Sequence, residues 1–220
     1  MSLATRASLA ALLLAAPLAG GCALFGRSDP VVARYFTIDP QPAAPQSAHP
    51  ELRLRLGHVE GWSHLRERLV ARDADGELVF YDDWRWTERP ETYLRRALAR
   101  ALFEERGVVP VVAGSALALD VELTSFEELQ KPAHVIRVQA HLVVRDDRIG
   151  LVEESFTFDQ PVSCAEADQP PSSECAKRPA ALVDAYTQGL NRSAEQIADH
   201  VVAKLAALPP QDASSPGRAP

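Results

Sequence analysis

The patterning of this 220-residue chain predicts an α+β fold: a mostly antiparallel sheet with two helices packed on one face. Three observations carry that expectation. Several short segments alternate apolar and polar residues with the period of a half-buried strand. Two longer segments repeat apolar residues at intervals of three and four, the period of an amphipathic helix. Their order is strands, helix, strands, helix.

Taken in order, Arg34-Tyr35-Phe36-Thr37-Ile38 is rich in β-favouring residues and reads as a first strand. Residues 39–50 hold four prolines and form an extended connector. Leu52, Leu54 and Leu56 alternate with Arg53 and Arg55 as a second strand. Leu69–Arg72 and Glu77–Tyr81 flank Asp73-Ala74-Asp75-Gly76, and Asp-Gly between apolar runs signals a hairpin. Pro90 suits a first helical turn, Leu94, Leu98, Ala101 and Leu102 make the stripe, and Gly107 supplies a stop. Leu117–Thr124, Ile136–Val144 and Leu151–Asp159 form an antiparallel meander with one wet face. A last helix runs from about Pro179 to Leu208, with Leu182, Tyr186, Leu190, Ala194, Ile197, Val201 and Leu205 along its apolar stripe. Residues 209–220 are rich in Pro, Ser and Gly and read as a disordered tail.

Apolar residues make up 46% and charged residues 24%, close to globular averages, which excludes disorder for the bulk of the chain. The net charge of −7 lacks the basic excess that a general nucleic-acid binder needs. Arg6 is the only charge in the first 26 residues, and residues 7–21 form an apolar run. At 1.5 Å per residue the run spans about 22 Å, short of a hydrocarbon core of about 30 Å. That is the build of a secretory signal.

The run ends in Leu18-Ala19-Gly20-Gly21-Cys22, which resembles the bacterial lipobox, where small residues precede a cysteine that is lipidated and becomes the mature N-terminus. Ala19 stands where that motif usually has Leu. An ordinary signal peptide with an incidental cysteine is the alternative. The expected organisation is a signal peptide over 1–21, a lipidated tether over 22–33, one domain over 34–208 and the tail over 209–220. By the same resemblance, Ala23 in place of an inner-membrane retention Asp implies the periplasmic face of the outer membrane. Lipidation of Cys22 leaves Cys164 and Cys175 as an even pair in an oxidising compartment, so a Cys164–Cys175 disulfide is expected, with two free thiols as the alternative.

No phosphate-binding loop, dinucleotide fingerprint or nucleophile elbow occurs. The six histidines show no metal-ligand spacing, and the adjacent carboxylates at Asp82-Asp83, Glu104-Glu105, Glu127-Glu128 and Asp146-Asp147 point apart on regular elements or sit in turns. No enzyme, metal or cofactor is expected. The segment Tyr81–Pro90 carries two of the three tryptophans. Tyr81, Trp84 and Trp86 are read either as plugs at the helix–sheet junction or as an aromatic contact surface for a partner.

Tyr35-Phe36-Thr37-Ile38, Leu69-Val70-Ala71-Arg72, then Tyr81, Trp86, Pro90, Leu94 and Leu98, the strand around Leu119–Leu123 and the long last helix, all following a lipobox, resemble the ABC-type transport auxiliary lipoprotein family, the PqiC-like periplasmic lipoproteins. The resemblance implies a non-enzymatic subunit that works with an ATPase, a permease and an MCE-type periplasmic protein in lipid trafficking between membranes. The expected partners are that MCE-type protein and the membrane, reached through the lipid anchor, with further copies of this chain left open. Two rival readings are a periplasmic module that holds a lipid or other hydrophobic ligand itself, recognisable by an acyl-sized apolar cavity, and an envelope hydrolase, recognisable by a nucleophile and base in one cleft.

Overall fold

A computed structural model describes residues 30–39, 41–44, 48–112, 116–146, 149–163 and 179–208. Cys22, Cys164 and Cys175, the signal peptide and the tail lie outside the described residues.

The domain that starts at Ala33 is α+β. Its strands are β1 (Arg34–Phe36), β2 (Arg53–Gly61), β3 (Arg68–Arg72), β4 (Leu78–Trp86), β5 (Val109–Pro110), β6 (Leu117–Leu129), β7 (Val135–Arg145) and β8 (Gly150–Pro161). Its helices are α1 (Pro90–Ala99, continued by a π-helical segment Arg100–Glu105) and α2 (Pro179–Ala207). The eight strands make one mixed sheet. The long ladders β6–β7 and β7–β8 are antiparallel, as is β3–β4. The short joins β1–β4, β2–β5, β2–β6 and β3–β6 are parallel.

β6 is the trunk from which the sheet forks. One edge carries β7 throughout. The other carries β2 along Leu117–Leu123 and then β3 at Glu128 and Leu129. Alternation in β7 decides which face is covered: Ile136, Val138, Ala140, Leu142 and Val144 are buried, while their neighbours stay partly wet. α2 lies across β7 and β8, α1 lies on β2, and the helices pack on each other. The core they close includes Trp86, Tyr93, Phe126 and Tyr186 with Leu54, Leu69, Leu94, Leu98, Leu119 and Leu123.

Two glycines are required by close geometry. Gly107 has φ +62° and ends the first helix, a conformation that L side chains rarely adopt. A Cβ on Gly57 would collide with an Asp120 carboxylate oxygen, which instead accepts the His58 backbone N–H at 2.7 Å. This contact sits where the β2–β6 register shifts between Leu56 and Val59.

The wet face of the meander is laced by pairs across the strands. Arg145 donates to Asp120 at 2.6 Å, and Arg137 meets Asp159 with two bonds of 2.8 and 2.7 Å. His141 lies here beside Ser155 and Glu153, as its place on the polar side of the strand predicts. The bonds from Arg137 hold the Asp159 carboxyl below its usual range against a smaller opposing effect of burial. Burial pushes Asp120 up, but the bonds from Arg145 and from the His58 N–H together outweigh it and bring it down. A carboxyl depressed in the folded state stabilises above its unfolded pKa of about 3.9, and that contribution is lost as pH falls through the folded value. The urea midpoint should therefore hold steady at mildly acidic pH and drop below about pH 4. Asp120→Asn with Asp159→Asn should flatten that drop; an acid slope unchanged in the double variant would refute the assignment.

Candidate functional site

The segment Tyr81–Trp86 belongs to β4, and β4 is broken here by a wide bulge. Arg68 of β3 faces Arg85, yet Val70, two residues on, faces Phe80, so Tyr81–Trp84 loop out opposite Leu69. Arg85 fastens the bulge from inside: its terminal nitrogens donate to the carbonyl oxygens of Tyr81 and Trp84, both at 2.9 Å, and of Asp82 at 2.7 Å. The Tyr81 and Trp84 rings stack in parallel, centroids 4.4 Å apart, and Phe36 of β1 meets Trp84 edge-on at 5.7 Å.

Both tryptophans are buried, Trp84 at 7% exposure and Trp86 at 1%. Trp86 stands edge-on to Tyr93 of α1 and Tyr186 of α2 and tilts over Phe126 of β6. This is the junction-plug arrangement. Of the three residues considered for a partner surface, Tyr81 alone keeps partial exposure.

Glu127 and Glu128 point to opposite faces of β6, and both are buried. Glu127 receives two bonds from Arg72, at 2.9 and 3.1 Å. Glu128 accepts the Tyr81 hydroxyl at 2.5 Å and lies 2.7 Å from His134 Nε2. Burial, with the bond to Glu128, holds the Tyr81 phenol well above its usual range. Each carboxylate is thus committed to its own partners, and the two share no site for a substrate.

Beside the bulge, Ser63, His64, Arg66, Glu67, Arg68, Phe80 and Arg85 line an open cleft of about 390 Å³. The connection between β2 and β3 supplies its first four residues, and sequence reasoning passed over that stretch. Its signal was present, since Trp62-Ser63-His64-Leu65-Arg66-Glu67-Arg68 mixes an aromatic, a histidine and two arginines outside any apolar period. Two small, partly open pockets lie elsewhere among the described residues: about 20 Å³ between α1, α2 and Ile38, and about 10 Å³ between α2 and the meander. Among the described residues, no group of three metal-ligating side chains converges, and no helix is long and apolar enough to cross a membrane.

Comparison with known proteins agrees with this architecture. The XCC0632 protein of Xanthomonas campestris has a similar solved structure, with 15% identity, a TM-score of 0.59, and coverage of 78% of this chain and 99% of its own. An uncharacterized protein of known structure is similar with 17% identity, a TM-score of 0.55, and coverage of 77% and 99%. At these identities the likeness establishes the fold. No curated protein matches. A family model described as the ABC-type transport auxiliary lipoprotein component matches residues 36–198, from the end of β1 into the last turns of α2, and the chain belongs to that family.

Proposed function

We propose that this chain is a non-enzymatic adaptor of an ABC-type lipid transport system, anchored through Cys22 at the periplasmic face of the outer membrane and docking an MCE-type periplasmic protein. The observation that carries the reading is the family match over residues 36–198, preceded by the lipobox-like Leu18–Cys22. ATP hydrolysis falls to another subunit, since this sequence carries no phosphate-binding loop.

The packing supports an adaptor over a module that encloses an acyl chain. The space between helices and sheet is filled by Trp86, Tyr93, Phe126 and Tyr186, and two small, partly open pockets at its margins among the described residues have room for about one water each. Ligand pockets usually measure about 300–1,000 Å³ and are mostly apolar. Tyr81, Trp84 and Trp86 enter this reading as the frame that shapes the β4 bulge, with Tyr81 the one of the three that a docked protein would reach. A Cys164–Cys175 disulfide would pin the link between β8 and α2.

Mass spectrometry of the protein isolated from its native envelope, without reduction, tests anchor and bridge together. We expect a chain lacking residues 1–21, an acylated Cys22, and a mass two hydrogens short for the joined cysteines. Cleavage elsewhere or an unmodified Cys22 removes the anchor. Crosslinking in the same envelopes should capture the MCE-type protein, and a lipidated chain that captures none removes the adaptor role.

A further inference from the structure

We propose that the cleft between the β2–β3 connection and the β4 bulge is a binding site for a phosphate ester. The site is built by register. Tyr35 of β1 faces Arg85 of β4, and Arg85 faces Arg68 of β3, so the three stand in one row on one side of the sheet. The β2–β3 connection then closes over the row, bringing Ser63, His64, Arg66 and Glu67 to the same cleft as Arg68, Phe80 and Arg85.

Three guanidiniums meet one carboxylate there, Glu67, within a chain whose net charge is −7. Asp82 and Asp83, on the same bulge, do not line the cleft. The arginines of β7, and Arg72 of β3, are already paired. Arg72, Arg137 and Arg145 each hold a carboxylate. In the cleft, Arg66 spends only its Nε, on the Ser63 carbonyl at 3.0 Å, and the Arg68 side chain has no hydrogen-bond or ion-pair partner among the described residues. Arg85 turns its terminal nitrogens to the bulge carbonyls, so it supplies charge and shape while Arg66 and Arg68 keep free forks.

His64 adds the second observation. Its Nε2 is buried and unpartnered, and its ring is held edge-on by Trp62 at 6.1 Å. An unpaired buried ring nitrogen is costly unless something completes it. Two guanidinium forks and an imidazole around a concave site match the tetrahedral oxygens of a phosphate, whereas a planar carboxylate meets one fork at a time. Phe80, 37% exposed, gives an apolar wall for the ester's carbon part. At about 30 Å³ per water, 390 Å³ holds a phosphate with a glycerol-sized substituent.

Two sources offer this chemistry: a soluble phosphate ester and the headgroup of a phospholipid. The test uses the chain from residue 22 onward with Cys22→Ser, so that neither signal peptide nor acyl chain can hold it to a membrane. Glycerol 3-phosphate is titrated by calorimetry, and vesicles of phosphatidylglycerol are used in co-sedimentation. Arg66→Gln with Arg68→Gln removes both free forks at exposed positions, and an unchanged melting temperature verifies the fold. Binding of glycerol 3-phosphate that falls at least tenfold in the variant supports the site with a soluble ester. Vesicle binding that falls at least tenfold, with or without binding of the free ester, supports it with a lipid headgroup. No binding in either arm, binding that the variant leaves intact, or capture of a hexaglutamate peptide alone overturns the proposal. The isolated chain suffices, so this result stands apart from whether an MCE-type protein docks.

Discussion

Trp86→Ala should lower the stability of the domain by about 3–5 kcal/mol, the cost of truncating a buried aromatic side chain. The site explains why the loss should lie in the upper part of that range. Trp86 is 1% exposed and touches both helices and the trunk strand at once, through Tyr93, Tyr186 and Phe126. Those neighbours belong to α1, α2 and β6, so the void cannot be closed by moving one side chain. Tyr186 is further tied by its hydroxyl to the Val70 carbonyl at 3.0 Å, which keeps it from collapsing inward. In a domain of this size the loss corresponds to a fall in melting temperature on the order of 10 °C. Trp62→Ala is the matched control: 48% exposed, it should stay within about 0.5 kcal/mol. A Trp86→Ala protein that melts with the native one would show that Trp86 is not the keystone of the helix–sheet junction.

The elements that sequence reading located share one property: their apolar period runs unbroken. β7 alternates without interruption from Ile136 to Val144, and α2 keeps its stripe from Leu182 to Leu205. The errors cluster where the period slips. β2 was expected to end at Leu56, but it passes through the irregularity at Gly57 and runs to Gly61. β6 continues beyond Thr124 because the register shift between Leu123 and Ser125 changes its phase, turning Phe126 and Glu128 to the helix side. The sequence pattern of β4 stops at Tyr81, because the bulge hides the strand that Arg85 and Trp86 resume. β5 has two residues, too few to carry any period. The parallel joins were equally unreadable, since direction of pairing is set by which chain segments the fork brings together and leaves no local trace.

The candidate site was legible in part. Two aromatic anchors between a strand and a helix were visible as a sequence feature, and burial then assigned both to the core. The cleft was not visible. Its residues come from the β2–β3 connection and from β3 and β4, and the bulge that places Phe80 and Arg85 beside Arg68 exists only in the paired sheet. The buried Glu127 and Glu128 show the same limit. Their alternation put them on opposite faces, as expected, but nothing local told that Arg72, Tyr81 and His134 would arrive to satisfy them.

Arg106→Met should cost about 3–5 kcal/mol, because it removes one member of a buried charge network and strands the others. Where α1 widens into its π-helical segment, Arg100 and Glu105 turn inward, and Arg106 follows with its side chain 3% exposed. Its Nε donates to Asp199 of α2 at 2.7 Å, and its terminal nitrogens donate to the Ala101 carbonyl at 2.9 Å and the Glu195 carbonyl at 3.1 Å. Burial works against its charge, and the bond to Asp199 with the nearby Glu105 and Glu195 outweighs that and raises its pKa. Methionine keeps much of the volume but none of the donors. Glu105, 4% exposed, would be left with Arg100 at 3.3 Å as its ion-pair partner, and the seam between the helices would lose two cross-links, to Asp199 and to the Glu195 carbonyl. Adding Glu105→Gln to Arg106→Met separates charge from shape: if stranded charge is the cause, the second change should recover at least 1 kcal/mol, a coupling readable in a double-mutant cycle. Equal losses with and without Glu105→Gln would place the effect in packing instead, and an Arg106→Met chain as stable as the native one would show that the network contributes nothing net.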